Sequence, residues 1–211
     1  MSEPRACAAS IATLAPDRRH WCVADERIGG VRSEAYAVRD GPAALWVLID
    51  PLPLTADALE ALCPVQAIVL TSAAHQRACW RLRRELGAPV HAPAGSAGLD
   101  EQPDHDFTDG AVLPGGLIAR SAPGPRPPHF VLEHGSGPAT AVFVGDLVVG
   151  VAGGGLALLP TEHLADLAAA RASVRALAAR APELVGPGHG PPVTANAGAV
   201  LAHALSNHAD A

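Results

Sequence analysis

The sequence predicts an α/β fold in which two β-sheets pack face to face between helical layers. Three observations carry this expectation. Apolar residues make up 49% of the 211 and charged residues 17%, a composition that fills a globular interior and lies far from that of disordered chains. Residues 33–91 open with a hairpin and then alternate helix, strand, helix, strand. The rest of the chain repeats the order, short strands first and helices last, and two sheets each backed by helices bury both sets. The length suits one domain spanning residues 1–211.

The elements follow in order. Residues 1–30 show little periodicity and receive no assignment. Glu34-Ala35-Tyr36-Ala37-Val38 and residues 44–49 form a hairpin around Arg39-Asp40-Gly41-Pro42, where Asp-Gly between apolar runs marks a turn. Thr55 caps a short helix over 56–62, with Asp57 in the first turn where the helix dipole favours a carboxylate. Ala67-Ile68-Val69-Leu70 is continuously apolar, as a strand buried on both faces requires. A helix over 75–86 carries Cys79, Leu82 and Leu86 on one face and stops at Gly87, before a strand at Pro89-Val90-His91. An acidic loop at 100–109 precedes strands at 117–121, 129–133 and 139–144. Pro160 and Thr161 open a long helix with an apolar stripe of Leu164, Leu167, Val174 and Leu177. Leu184-Val185 leads into the turn 186–190, and a last helix runs to about Asn207.

Composition excludes several function classes. The chain has no lysine, which removes Schiff-base chemistry and phosphate-binding loops that need its amine. A net charge of −6 argues against a nucleic-acid partner. The longest apolar runs, at 43–49 and 147–159, are too short to span a bilayer, so no membrane partner is expected. The start Met1-Ser2-Glu3-Pro4-Arg5 lacks signal-peptide character, and Cys7, Cys22, Cys63 and Cys79 show no Cys-x-x-Cys spacing. Four free thiols in a cytoplasmic protein are the expectation.

Five landmarks in order resemble the metallo-β-lactamase fold, a four-layer αββα sandwich. They are the strand Trp46-Val47-Leu48-Ile49-Asp50, the strand ending at Thr71 before a helix, Pro123-Gly124, the pair Gly145-Asp146, and Gly188-His189-Gly190. Together they cover residues 33–195. The resemblance implies a site for one or two metal ions, usually zinc, on loops at one edge of the sandwich. The family's signature Thr-His-x-His-x-Asp-His is replaced by Thr71-Ser72-Ala73-Ala74-His75-Gln76-Arg77, and its Pro-Gly-His by Pro123-Gly124-Pro125. Of the family's ligand positions only Asp146 and His189 keep their residue, as in a divergent branch with a degenerate metal-binding motif. A four-ligand zinc site is worth roughly 10–16 kcal/mol, so two ligands supply about half of that.

The resemblance therefore implies a fold that keeps a polar pocket of His75, Arg77, Asp146 and His189. With no cofactor expected, that pocket binds a small, anionic ligand or a protein partner. The alternative is a mononuclear, zinc-dependent hydrolase with His75, Asp146 and His189 as ligands. A third reading is a subunit acting only through its surface. Arg77, at a vacated ligand position, is expected to pair with Asp146, because a buried carboxylate needs a counter-charge. His129 and His134 read as structural, and the acidic run 100–106 as a solvated loop without calcium-loop spacing. The glycines of 149–156 lack the residues of a phosphate cradle.

Overall fold

The computed structural model of the chain describes residues 3–41, 43–135 and 140–206. Met1, Ser2, the expected turn residue Pro42, the expected strand start Ala139 and the expected helix end Asn207 lie outside the described residues. The first sheet holds β1 (Ala12–Ala15), β2 (Arg18–Asp25), β3 (Val31–Val38), β4 (Trp46–Ile49), β5 (Val65–Val69), β6 (Val90–Pro93) and β7 (His105–Phe107), side by side in sequence order. The chain then adds β8 (Val112–Leu113), β9 (Leu117–Ser121), β10 (Phe130–His134), β11 (Ala141–Gly145), β12 (Val148–Val151), β13 (Gly155–Leu158) and β14 (Leu184–Pro187). The second sheet is ordered β14-β11-β10-β9-β8, and β12 and β13 form a separate hairpin. The helices are α1 (Ala56–Glu60), α2 (Cys79–Leu86), α3 (Leu167–Ala178) and α4 (Ala197–Ala204).

Strand alternation produces the layers. Ala35, Ala37, Leu48, Ile68 and Leu70 share one core with Leu59 of α1 and Leu82 of α2. Their neighbours Tyr36, Val38, Val47, Ile49 and Val69 point the other way and meet Leu117, Leu132, Phe143 and Leu184 of the second sheet. Val131, Val142, Val144 and Val185 face outward onto Val174 of α3 and Leu201 of α4. Successive side chains of a strand alternate faces, so each buried strand feeds two cores. The result is the αββα sandwich. Parallel pairing of β4 with β5, β5 with β6, and β11 with β14 brings several strands to a common C-terminal edge.

The structure departs from the sequence reading at several places, among them β8 and the β12–β13 hairpin, which fall in stretches that received no strand. The unassigned start contains β1 and β2, whose Trp21 and Val23 enter the outer core beside charged and polar neighbours. The loop 100–109 contains β7, which pairs parallel with β6. Only a 3-10 turn, Thr161–His163, follows Pro160; α3 starts at Leu167 because the Asp166 carboxylate accepts from Ala169 N–H at 2.9 Å, a stronger cap. The helix expected from residue 75 begins at Cys79, since Arg77 has φ +35° and interrupts the helical path. Among the described residues no helix is long and apolar enough to cross a membrane.

Candidate metal centre

The sandwich edge where β4, β5, β11 and β14 end collects the polar residues. Asp50 follows β4, Thr71 lies just past β5, Asp146 follows β11, and His189 follows β14. His75 sits in the 3-10 turn Ala73–His75, which returns its ring under Asp50. His75 Nε2 lies 3.1 Å from Asp146 Oδ1, and His189 Nε2 lies 3.5 Å from the same oxygen. One donor atom from each of the three residues falls within 4.8 Å of the others.

The far side of each imidazole is held. His75 Nδ1 is 2.9 Å from Asp50 Oδ2, and Asp50 also accepts from Thr71 N–H at 2.8 Å and Thr71 Oγ1–H at 2.6 Å. His189 Nδ1 is 3.2 Å from Ser33 Oγ, whose hydroxyl donates to Asp25 Oδ2 at 3.5 Å. Asp25 is in turn paired with Arg27. Both rings thus present Nε2 to Asp146 and anchor Nδ1 to the protein. Asp146 N–H donates to His129 Nε2 at 3.2 Å, and His129 Nδ1–H donates to the Ala122 carbonyl at 3.0 Å, which fixes a neutral tautomer. Burial holds the His129 pKa below the usual range, consistent with that neutral ring.

Close packing keeps Asp146 in place. Gly145 has φ +52°, and a methyl group there would lie 2.7 Å from Thr71 Oγ1 and 2.9 Å from His129 Nε2. Gly145→Ala is expected to cost about 2–4 kcal/mol, the left-handed backbone and the overpacking together. Urea unfolding checks it, and a loss below about 1 kcal/mol would contradict this packing.

Electrostatics separate the two rings. Burial by itself lowers the His75 pKa, but Asp146 and Asp50 on either side outweigh it and raise the pKa to about 9. His189 is pushed down to about 4 by burial, with the Arg77 and His75 charges adding to it. Burial also opposes ionisation of Asp50 and Asp146, yet the facing His75 holds both carboxyls below their ordinary range. Asp50 and Arg77 both have positive φ, at 47° and 35°, and such strain in non-glycine residues gathers at functional sites.

The remaining expected residues fall as follows. Arg77 is buried beside the site but forms no ion pair with Asp146, contrary to expectation. Its guanidinium donates to the carbonyls of Glu34 (2.6 Å), Asp50 (3.2 Å) and Gly188 (2.9 Å). The left-handed backbone aims it at these strand ends, and Asp146 already has His75 as its counter-charge. Gln76, at the family's aspartate position, accepts from Trp80 Nε1–H and Asp100 N–H and donates to the Gly98 carbonyl. Pro123-Gly124-Pro125 docks α3, the Gly124 carbonyl accepting from Ala165 and Asp166. His134 accepts from Arg18 Nε at 3.1 Å, away from the site. Sequence reasoning missed Ser33 and Asp25 as supports; Asp50 was visible as a strand-end carboxylate without its partner.

The sandwich agrees with the folds of known proteins. The model of a family described as "Metallo-beta-lactamase superfamily" matches residues 14–202. The chain belongs to the metallo-beta-lactamase superfamily. Among solved structures, a metallo-beta-lactamase from Pontibacter korlensis is 21% identical, covers 94% of this chain and 99% of its own, and has a TM-score of 0.70. The FIM-1 metallo-beta-lactamase of Pseudomonas aeruginosa in its mono-zinc form is 21% identical, with 95% and 96% covered and a TM-score of 0.70. An archaeal superfamily protein from Sulfolobus tokodaii is 15% identical, with 89% and 84% covered and a TM-score of 0.65. At these identities the likeness shows the fold. A comparison with curated proteins gives no match.

The residues present make a group that could hold one divalent ion. Two imidazole nitrogens and a carboxylate oxygen are a common catalytic zinc set. Bonds of about 2.0–2.1 Å at tetrahedral angles separate ligand atoms by about 3.3 Å; the two separations to Asp146 Oδ1, 3.1 and 3.5 Å, bracket that value, and all three donor atoms lie within 4.8 Å of one another, so the two imidazoles have to close on an ion that binds. The Nδ1 partners of His75 and His189 are the outer supports that metal-binding histidines require.

Proposed function

We propose that the protein is a mononuclear, metal-dependent hydrolase of its superfamily, with His75, Asp146 and His189 holding one divalent ion, zinc by family usage. The observation that carries this reading is that both Nε2 atoms face Asp146 while both Nδ1 atoms are anchored, by Asp50 and by Ser33. When bound, such an ion polarises a carbonyl or phosphoryl oxygen and makes water a nucleophile near neutral pH. The chain's own residues supply the rest. Asp50 and Ser33 orient the rings, and His129 fixes the backbone N–H of Asp146. The mono-zinc form of FIM-1 supports the reading, because it is one ion bound by a protein of this fold.

One observation favours a second reading, a metal-free pocket that binds a small anionic ligand or a protein partner. With His75 protonated, the buried Asp50 and the partly buried Asp146 flank His75, the buried Arg77 guanidinium lies beside them, and the charges cancel without an ion.

Metal content separates the two. Untagged protein, incubated with zinc and dialysed, is expected to carry close to one zinc per chain by mass spectrometry, and His189→Ala and Asp146→Asn to lose it. Zinc at about 100 times its dissociation constant should stabilise the wild type by about 2.7 kcal/mol. Retention of no zinc, with an unchanged melting temperature, would leave the metal-free pocket.

A further inference from the structure

We propose that Arg77 is the positioning residue of this site, presetting the orientation of both imidazoles from the backbone side. The inference rests on the reading of His75, Asp146 and His189 as the functional set. One guanidinium donates to three carbonyls on three different segments: Glu34 in β3, Asp50 after β4 and Gly188 after β14. Each carbonyl lies on or next to a residue that holds an imidazole. Glu34 follows Ser33, which is bonded to His189 Nδ1. Asp50 carries the carboxylate bonded to His75 Nδ1. Gly188 precedes His189 itself.

Chemistry favours arginine for this task. A planar guanidinium carries five N–H donors in a fixed fork and keeps its charge when buried, whereas an ammonium is a compact point donor on a shorter reach. The Gly188 carbonyl accepts from Glu34 N–H at 2.9 Å as well as from Arg77, so the guanidinium closes the seam between β3 and the β14 turn. Asp50, with φ +47°, is held in a strained backbone at the same point. Arg77 touches neither His75 nor His189 by any hydrogen bond among the described residues, so its influence passes through the backbone that bears their partners.

The test has a metal-independent arm and a metal arm. Protein labelled with nitrogen-15 at histidine, treated with chelator, reports the Nδ1–H protons of His75 and His189 directly by NMR. In Arg77→Lys, which keeps the charge and loses the fork, both signals are expected to shift or vanish while the other histidines stay put. Arg83→Lys, on the surface of α2, serves as the control and leaves them unchanged. Cobalt titration should show weaker binding in Arg77→Lys by about 10–100-fold, with an altered visible spectrum at saturation. Unchanged imidazole signals in a folded Arg77→Lys would overturn the proposal, whatever the cobalt result. Failure of the wild type to bind cobalt would remove the metal reading alone and leave the NMR arm to decide. Should Arg77→Lys not fold, Arg77→Gln, which keeps two N–H donors without a buried charge, carries the same comparison.

Discussion

Asp50→Ala is expected to lower the stability of the protein by about 3–5 kcal/mol, the scale for breaking a buried charged pair by removing one partner. Asp50 is 3% exposed and accepts from Thr71 N–H, Thr71 Oγ1–H and His75 Nδ1–H. Truncation removes the acceptor of three buried donors, of which Thr71 Oγ1 and His75 Nδ1 can still bond each other at 3.1 Å, and leaves the His75 cation with Asp146 as its one carboxylate partner. Asp50→Asn keeps an oxygen for Thr71 and loses the charge, so it should cost less than the alanine variant. The double change Asp50→Ala with His75→Ala should cost less than the sum of the singles, because the two side chains share one interaction. Urea unfolding of the chelator-treated variants checks all three, and a loss below about 1 kcal/mol for Asp50→Ala would show that the pair is not what holds this edge together.

Legibility in the sequence followed how local the cause was. The four layers were readable because each buried strand announces its own two faces, as Tyr36 and Val38 do against Ala35 and Ala37. Strand-end residues such as Asp50, Thr71 and Gly145-Asp146 were readable because the chain leaves the sheet there. Arg77 was recognisable as a buried cation at a vacated position, but not its partners. These depend on a left-handed backbone that turns the side chain away from Asp146 towards strand-end carbonyls. His75, one position from the family's histidine, reaches the site because a 3-10 turn rather than an α-helix follows Ser72. Ser33 and Asp25 stayed hidden for a different reason. Ser33 meets His189 across 156 residues of chain, Asp25 meets Ser33 across the β2–β3 hairpin, and no periodicity in 18–25 marks that hairpin.

Stability of the metal-free protein should peak near pH 6.5 and fall on both sides, for reasons of opposite sign in the two rings. The pKa of His75 rises on folding to about 9, from an unfolded value of about 6.5. Its contribution is therefore complete below about pH 6.5 and is lost as pH rises through about 9. The pKa of His189 falls on folding to about 4, so its contribution is complete above about pH 6.5 and is lost as pH falls through about 4. Asp50 and Asp146, both shifted down, add to the acid-side loss. Each histidine shift corresponds to about 3 kcal/mol at full extent. Urea midpoints in chelator across about pH 4–10 measure both arms, and His75→Gln should flatten the alkaline one. A wild-type profile flat from neutral to alkaline pH would refute a protonated His75 between Asp50 and Asp146. The same proton bears on the metal. An ion bound at His75 Nε2 has to displace it, so apparent zinc affinity should climb about tenfold per pH unit from near neutral until about pH 9. An affinity independent of pH over that range would mean that His75 is not a ligand, leaving its imidazolium as the permanent counter-charge of Asp146.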